Sequence, residues 1–185
     1  MSVRILALVG SLRAGSTNRQ LAEAAVKHAP EGAEVVLFDG LADVPFYNED
    51  IDVEGSLPAG AVALREAAAS ADAFLLFSPE YNGTIPAVLK NAIDWLSRPY
   101  GAGALTAKPV AVVGTAYGQF GGVWAQDDAR KAAGIAGAKV IDAKLAIPGS
   151  LERFAETHPS DDAEVAAQLA EVIGLIHGEA TAAAA

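Results

Sequence analysis

The sequence predicts an α/β fold: an open, doubly wound parallel sheet of five strands in the order 2-1-3-4-5, with helices on both faces to make three layers. Three observations predict it. Short β-rich runs alternate with helix-compatible stretches along the whole chain. Each run is nearly continuous in apolar character, as strands covered on both faces are. The length of 185 residues suits five strand–helix pairs, whereas a closed eight-stranded barrel typically needs ~250.

In chain order, the expected strands are Val3–Val9, Ala33–Phe38, Ala73–Phe77, Pro109–Thr115 and Lys139–Ile147. The helices expected between and after them are Asn18–Ala29, Ala59–Ala69, Pro86–Leu96, Val123–Gly134 and Ser160–Ile176. Ser16 or Thr17 can cap the first helix, and Pro86 suits an early helical position where no amide donor is lost. Ser160, followed by acids, is the expected cap of the last helix. The closing residues EATAAAA have no apolar period and read as a frayed tail, so residues 1–178 form the expected single domain and 179–185 the tail. The stretch Asp39–Pro58 is too long for a simple connection and reads as a binding or interface loop.

Composition excludes several function classes. There are no cysteines, so disulfide scaffolds, thiolate metal sites and thiol nucleophiles are out. The net charge of −10 argues against nucleic acid and against an anionic membrane surface. The N-terminus runs straight into a strand pattern, so a soluble, cytoplasmic protein is expected. No G-x-S-x-G elbow accompanies the three histidines: His28 and His177 fall in expected helices and His158 just before one.

The loop after the first strand reads GSLRAGSTNR, Gly10 to Arg19. Ser11, Ser16, Thr17 and Asn18 supply hydroxyl and amide groups there, with Arg13 and Arg19 as cations. The first 22 residues hold three arginines and no acid, a local charge of +3, so the remainder carries −13 of the total of −10. Free amides at a helix N-terminus with hydroxyls and an arginine make a phosphate cradle; the alternative is an ordinary capped turn. The spacing lacks the lysine of a nucleotide-triphosphate loop, and the dinucleotide fingerprint G-x-G-x-x-G is absent. A mononucleotide remains.

The Gly10–Asn18 pattern, SPEYNGTIPAVLKNAIDWLSR at Ser78–Arg98 and VPFYNED at Val44–Asp50 together resemble the NAD(P)H-dependent FMN reductases, a flavodoxin-like family that includes quinone, azo-dye and chromate reductases. The resemblance covers essentially the whole chain. It implies FMN as cofactor, NADPH or NADH as co-substrate, and hydride chemistry at the flavin without a catalytic side chain or a metal. Ser11, Arg13, Ser16, Thr17 and Asn18 are the implied phosphate ligands. Pro79, Glu80, Tyr81, Asn82 and Gly83 are the implied ring contacts, joined by Thr115, Ala116, Tyr117 and Gly118 from the loop after the fourth strand. Ala116 and Tyr117 depart from the serine and glycine common there. Phe120 and Trp124 border the open ring face or serve as packing.

The resemblance also implies a homodimer or homotetramer built on the helix Pro86–Leu96. Trp95 and Leu96 either face the second copy or pack on their own sheet, and Tyr47 and Asn48 lie near the partner's flavin. The implied function is transfer of hydride from NAD(P)H through FMN to a small acceptor: a quinone, azo compound, chromate or flavin. The rival classes are a flavodoxin-like electron carrier without turnover of its own and a phosphate-binding protein without flavin.

Overall fold

The structure is a computed structural model and describes residues 2–184. Strands β1 (Val3–Val9), β2 (Ala33–Leu37), β3 (Ala73–Phe77), β4 (Pro109–Thr115) and β5 (Lys139–Ile147) form one parallel sheet in the order β2-β1-β3-β4-β5. The helices are α1 (Thr17–Lys27), α2 (Ala59–Ala69), α3 (Ala87–Leu96), α4 (Val123–Ile135), α5 (Ser150–Arg153) and α6 (Ala163–Ala184).

The apolar runs are continuous because the sheet is covered twice. Side chains alternate between faces, so Ile5, Ala7 and Val9 join the core under α1 and α6, while Leu6 and Leu8 join the one under α2, α3 and α4. The central strand β3 is buried at every position. Val9 lies opposite Phe77 and Phe77 opposite Val113, so β1, β3 and β4 end together at one edge of the sheet. The chain runs from β1 outward to β2 and then returns to β3 on the other side, which places the topological switch point between β1 and β3. The ladder between β4 and β5 shifts register between Val110 and Val112. There the Arg130 guanidinium donates to the carbonyls of Val112 at 2.7 Å and Ala143 at 3.2 Å.

The last helix departs from expectation at both ends. It begins at Ala163, and Asp162 caps it in place of Ser160: Asp162 Oδ1 accepts from the amides of Glu164 at 3.1 Å and Val165 at 3.2 Å. Arg153 bonds the same carboxyl at 2.8 Å and holds its pKa below the usual range. Ser160 sits instead in a 3-10 turn, Pro159–Asp161, capped by His158. At the other end the helix continues through Ala184 where a frayed tail over 179–185 was expected. Alanine has the highest helix propensity, Ala180 is buried, and Glu179 pairs with Lys139. Ala185 lies outside the described residues.

The long segment Asp39–Pro58 contains two 3-10 turns, Gly40–Asp43 and Glu49–Ile51, and is fastened to α3. Asn91 Oδ1 accepts from the Tyr47 amide at 2.8 Å, and its amide group donates to the Pro45 carbonyl at 3.0 Å. Trp95 Nε1 donates to that same carbonyl at 2.7 Å, with its ring edge-on to Tyr47 at 5.1 Å. Arg65 adds an ion pair to Asp52 at 2.8 Å. Trp95 and Leu96 are both fully buried, so the reading of these two as contacts to a second copy is corrected. An indole N–H removed from water needs an acceptor, and Trp95 finds it in its own chain.

Candidate active site

At the carboxyl edge of the sheet, three loops close on one cleft of about 160 Å³. Eleven of the fourteen site residues expected from the sequence line it. Ser11, Arg13, Ser16, Thr17 and Asn18 come from the β1–α1 loop, Pro79, Glu80 and Tyr81 from the loop after β3, and Thr115, Ala116 and Tyr117 from the end of β4. Ser150, at the start of α5, also lines it and was not expected.

The first loop is shaped by its cap. Ser16 is extended, at φ −70° and ψ 120°, and its hydroxyl accepts from the Arg19 amide at 3.2 Å. That leaves the amides of Thr17 and Asn18 without a protein acceptor, at the positive end of an 11-residue helix. The local charge of +3 resolves into one usable cation. Arg4 pairs with Glu34 at 3.4 Å, on the far side of β1, and Arg19 is held by Glu23 and Asp39. Hydrogen bonding to Glu23 is the first cause that raises the Arg19 pKa. Arg13 lines the cleft and makes no ion pair among the described residues.

Asn18 lines the cleft with its side chain bonded to the end of β4. Its Oδ1 accepts from the Thr115 amide at 3.0 Å and its Nδ2 donates to the Thr115 carbonyl at 2.9 Å. The side chain is thereby committed to the end of β4, and only its backbone amide remains for a ligand. Thr115 Oγ1 is likewise spent, on the Ile147 carbonyl at 2.8 Å. Gly114 makes this junction possible: a Cβ there would sit 2.2 Å from the Ser78 carbonyl oxygen and 3.2 Å from Asn18 Oδ1.

Glu80 also turns out to be structural at its carboxylate. It accepts from the Ala125 amide at 3.2 Å, capping α4, whose preceding residue Gly122 has no side chain to offer. Asn82 and Gly83 stand outside the cleft wall. Tyr81 and Thr84 exchange amide–carbonyl bonds at 3.3 and 3.2 Å around them, and both central residues have positive φ, 54° and 75°. This is the geometry of a type I′ turn, which Asn-Gly favours. Gly118 is outside the wall too, in a turn where its carbonyl accepts from Gly121 at 3.1 Å. Tyr81 and Tyr117 are 50% and 64% exposed and form an open rim; Tyr81 Oη lies 3.4 Å from Ser11 Oγ. Phe120 and Trp124, half-exposed and edge-on at 5.1 Å, lie beyond that rim.

The donor set fits a phosphate monoester. Unmet helix amides, hydroxyls and one unpaired guanidinium converge, and the one carboxylate in the wall is turned onto α4. The volume is below the ~300 Å³ at which pockets for whole small molecules begin. The cleft has room for the phosphate end of a ligand and not for a whole nucleotide. Among the described residues no His/Cys/Asp/Glu group could hold a metal ion, and no helix is long and apolar enough to cross a membrane.

Removal of the Asn18 side chain tests its structural role. Asn18→Ala leaves a buried N–H and a buried C=O of Thr115 unpaired, at ~1–3 kcal/mol each. Urea unfolding is expected to show a loss of about 2–4 kcal/mol. An unchanged unfolding midpoint would show that the pair does not hold the cleft.

Comparison with known proteins gives the family. The family model for NADPH-dependent FMN reductase matches residues 3–152. A 2-hydroxy-1,4-benzoquinone reductase of Burkholderia sp is 41% identical over 130 residues, 70% of this chain and 69% of the relative. A quinone reductase of Escherichia coli (strain K12) is 40% identical over 124 residues, 67% of this chain and 65% of the relative. Among solved structures, FerB of Paracoccus denitrificans, a flavoenzyme NAD(P)H:(acceptor) oxidoreductase, superposes with a TM-score of 0.85 at 30% identity, covering 97% of this chain and 98% of its own. With a five-stranded sheet in the order of the flavodoxin-like folds and a family match across the cleft-forming loops, the chain belongs to the NADPH-dependent FMN reductase family, the flavin-dependent oxidoreductases that use FMN and NAD(P)H.

Proposed function

We propose that this protein holds FMN by its phosphate in the three-loop cleft and passes hydride from NAD(P)H to a quinone-type acceptor at the open rim. The observation that carries this reading is the division of the site. One wall offers Arg13 and the unbonded amides of Thr17 and Asn18, and the other side is an exposed rim of Tyr81 and Tyr117. Bound FMN supplies the two-electron chemistry, taking hydride from the nicotinamide and delivering it to the acceptor. The chain's part is binding and orientation. Arg13, Ser11 and Thr17 neutralise and hydrogen-bond the phosphate. Pro79 shapes the loop after β3, and the amides of Glu80 and Tyr117, which have no protein acceptor, would supply donors to the reduced ring. A rim exposed on one side admits the donor and the acceptor in turn.

Without air, the FMN-loaded protein is expected to oxidise about one equivalent of NADH or NADPH per flavin and to turn over further only when a quinone is added. FMN should bind much more tightly than riboflavin. Arg13→Ala should lower FMN affinity about ten- to a hundredfold, since a charge-assisted bond is worth ~1.5–3 kcal/mol, and should leave riboflavin affinity unchanged. Equal losses for the two flavins would mean that Arg13 supports the fold and not the phosphate.

The α3–α4 surface supports a homodimer. A groove of about 630 Å³ runs between these helices from the Tyr81–Thr84 turn, lined by Ile85, Ile93, Ile135 and Ala136, with Tyr100 and Ile135 92% and 80% exposed. Its charges are mixed, Lys90, Arg98 and Lys131 against Asp94 and Asp128, so a two-fold axis can set each sign opposite the other. A second copy docked here would stand beside the cleft. Sedimentation is expected to give a dimer at micromolar concentration and a monomer for Ile135→Asp. A monomeric, fully active wild type would overturn the assembly.

A further inference from the structure

Among the described residues seven polar side chains are buried: Ser16, Asn18, Ser78, Asn91, Thr115, Gln126 and Ser150. Six have protein partners. Ser16 takes the Arg19 amide, Asn18 the Thr115 backbone and Asn91 the Pro45–Tyr47 segment. Ser78 donates to the Pro79 carbonyl, Thr115 to Ile147 and Gln126 to Gly121. Ser150 is the exception: it is 3% exposed, it lines the cleft, and its hydroxyl has no hydrogen-bond partner among the described residues. The residue as a whole is buried, but its hydroxyl is not among the side-chain atoms closed off from solvent, so it opens into the cleft, where a ligand can reach it.

The backbone holds this hydroxyl in place. The Ser150 amide donates to the Ala116 carbonyl at 3.1 Å, and the Ala116 amide donates to the Ile147 carbonyl at 3.1 Å. The end of β4 and the start of α5 are thus laced together. Gly149, at φ 62°, makes the turn between β5 and Ser150 in the left-handed region. Asn18 ties that same β4 end to the phosphate loop. The Ser150 side chain therefore faces the cleft from a fourth segment of chain, beside Thr115 and Ala116, with its geometry fixed on both flanks.

We infer that the Ser150 hydroxyl is a phosphate-binding group: it donates to a phosphate oxygen of the bound mononucleotide and supplies a contact that the β1–α1 loop does not. The inference rests on the FMN reading of the cleft. Its consequence is that a cleft-facing donor with no partner in its own chain is taken up by the ligand's phosphate.

Ser150→Ala tests this with little change in volume. The unliganded variant is expected to melt at the wild-type temperature, because the hydroxyl makes no hydrogen bond within its own chain. FMN affinity, read by quenching of flavin fluorescence, should fall about tenfold or more, as for a hydrogen bond to a charged group. Riboflavin affinity should not move, and the rise in melting temperature on adding FMN should shrink. Four results would overturn it: unchanged FMN affinity; equal losses for FMN and riboflavin; a lower melting temperature of the unliganded variant, which would make the hydroxyl structural; or no FMN binding by the wild type. Only the last of these would remove the FMN reading as well.

Discussion

Everything at the ligand-binding edge depends on the two hydrogen bonds between the Asn18 side chain and the Thr115 backbone. β1 and β4 are not neighbours; β3 lies between them. Asn18 spans that gap above the end of β3, and the absence of a side chain at Gly114 lets Asn18 and the Ser78 carbonyl approach. With this junction in place, the start of α1, with its unmet amides, the end of β4 and the Ser150 turn share one small space. Without it the three loops would be separate connections at the end of a sheet.

Electrostatics explain why that space must be so closely defined. A chain of net charge −10 repels a phosphate dianion at long range. Attraction has to come from groups in contact, and among the arginines of the first 22 residues only Arg13 is uncommitted. The helix amides add to it without bringing a counter-ion. Glu80 stands in the same wall, yet its carboxylate is drawn to the first turn of α4, which removes a like charge from the ligand's path and anchors the ring loop. A single side chain thus serves two loops.

The sheet was legible because burial on both faces turns strands into uninterrupted apolar runs: β1, β3, β4 and β5 have the ends read from sequence. The cleft was legible through its motifs, which brought eleven expected residues to one wall. The roles inside the motifs were less so, since a motif names residues and not hydrogen-bond partners. Asn18 and Glu80 were read as ligands; both line the cleft, and their side chains also brace its loops. Asn82 and Gly83 carried a readable signal, Asn-Gly between pairing residues, that marks a tight turn. Ser150 had none: one serine after a Pro-Gly pair becomes significant only when the fold brings it across the sheet from the first loop. Trp95 was ambiguous for the same reason, its acceptor at Pro45 being 50 residues away. Asp162, with an apolar-periodic stretch beginning just after it, was a better cap candidate than Ser160 on position alone.

The most direct test of the phosphate cradle is the ³¹P resonance of FMN bound to the protein, followed against pH. A free phosphomonoester takes up its second proton near pH ~6. A phosphate held by Arg13, two helix amides and hydroxyls is stabilised as the dianion, so its pKa falls and its resonance should stay constant from about pH 8 down to about pH 5.5. A bound resonance that titrates with the free ligand's midpoint would place the phosphate in solvent and contradict the cradle.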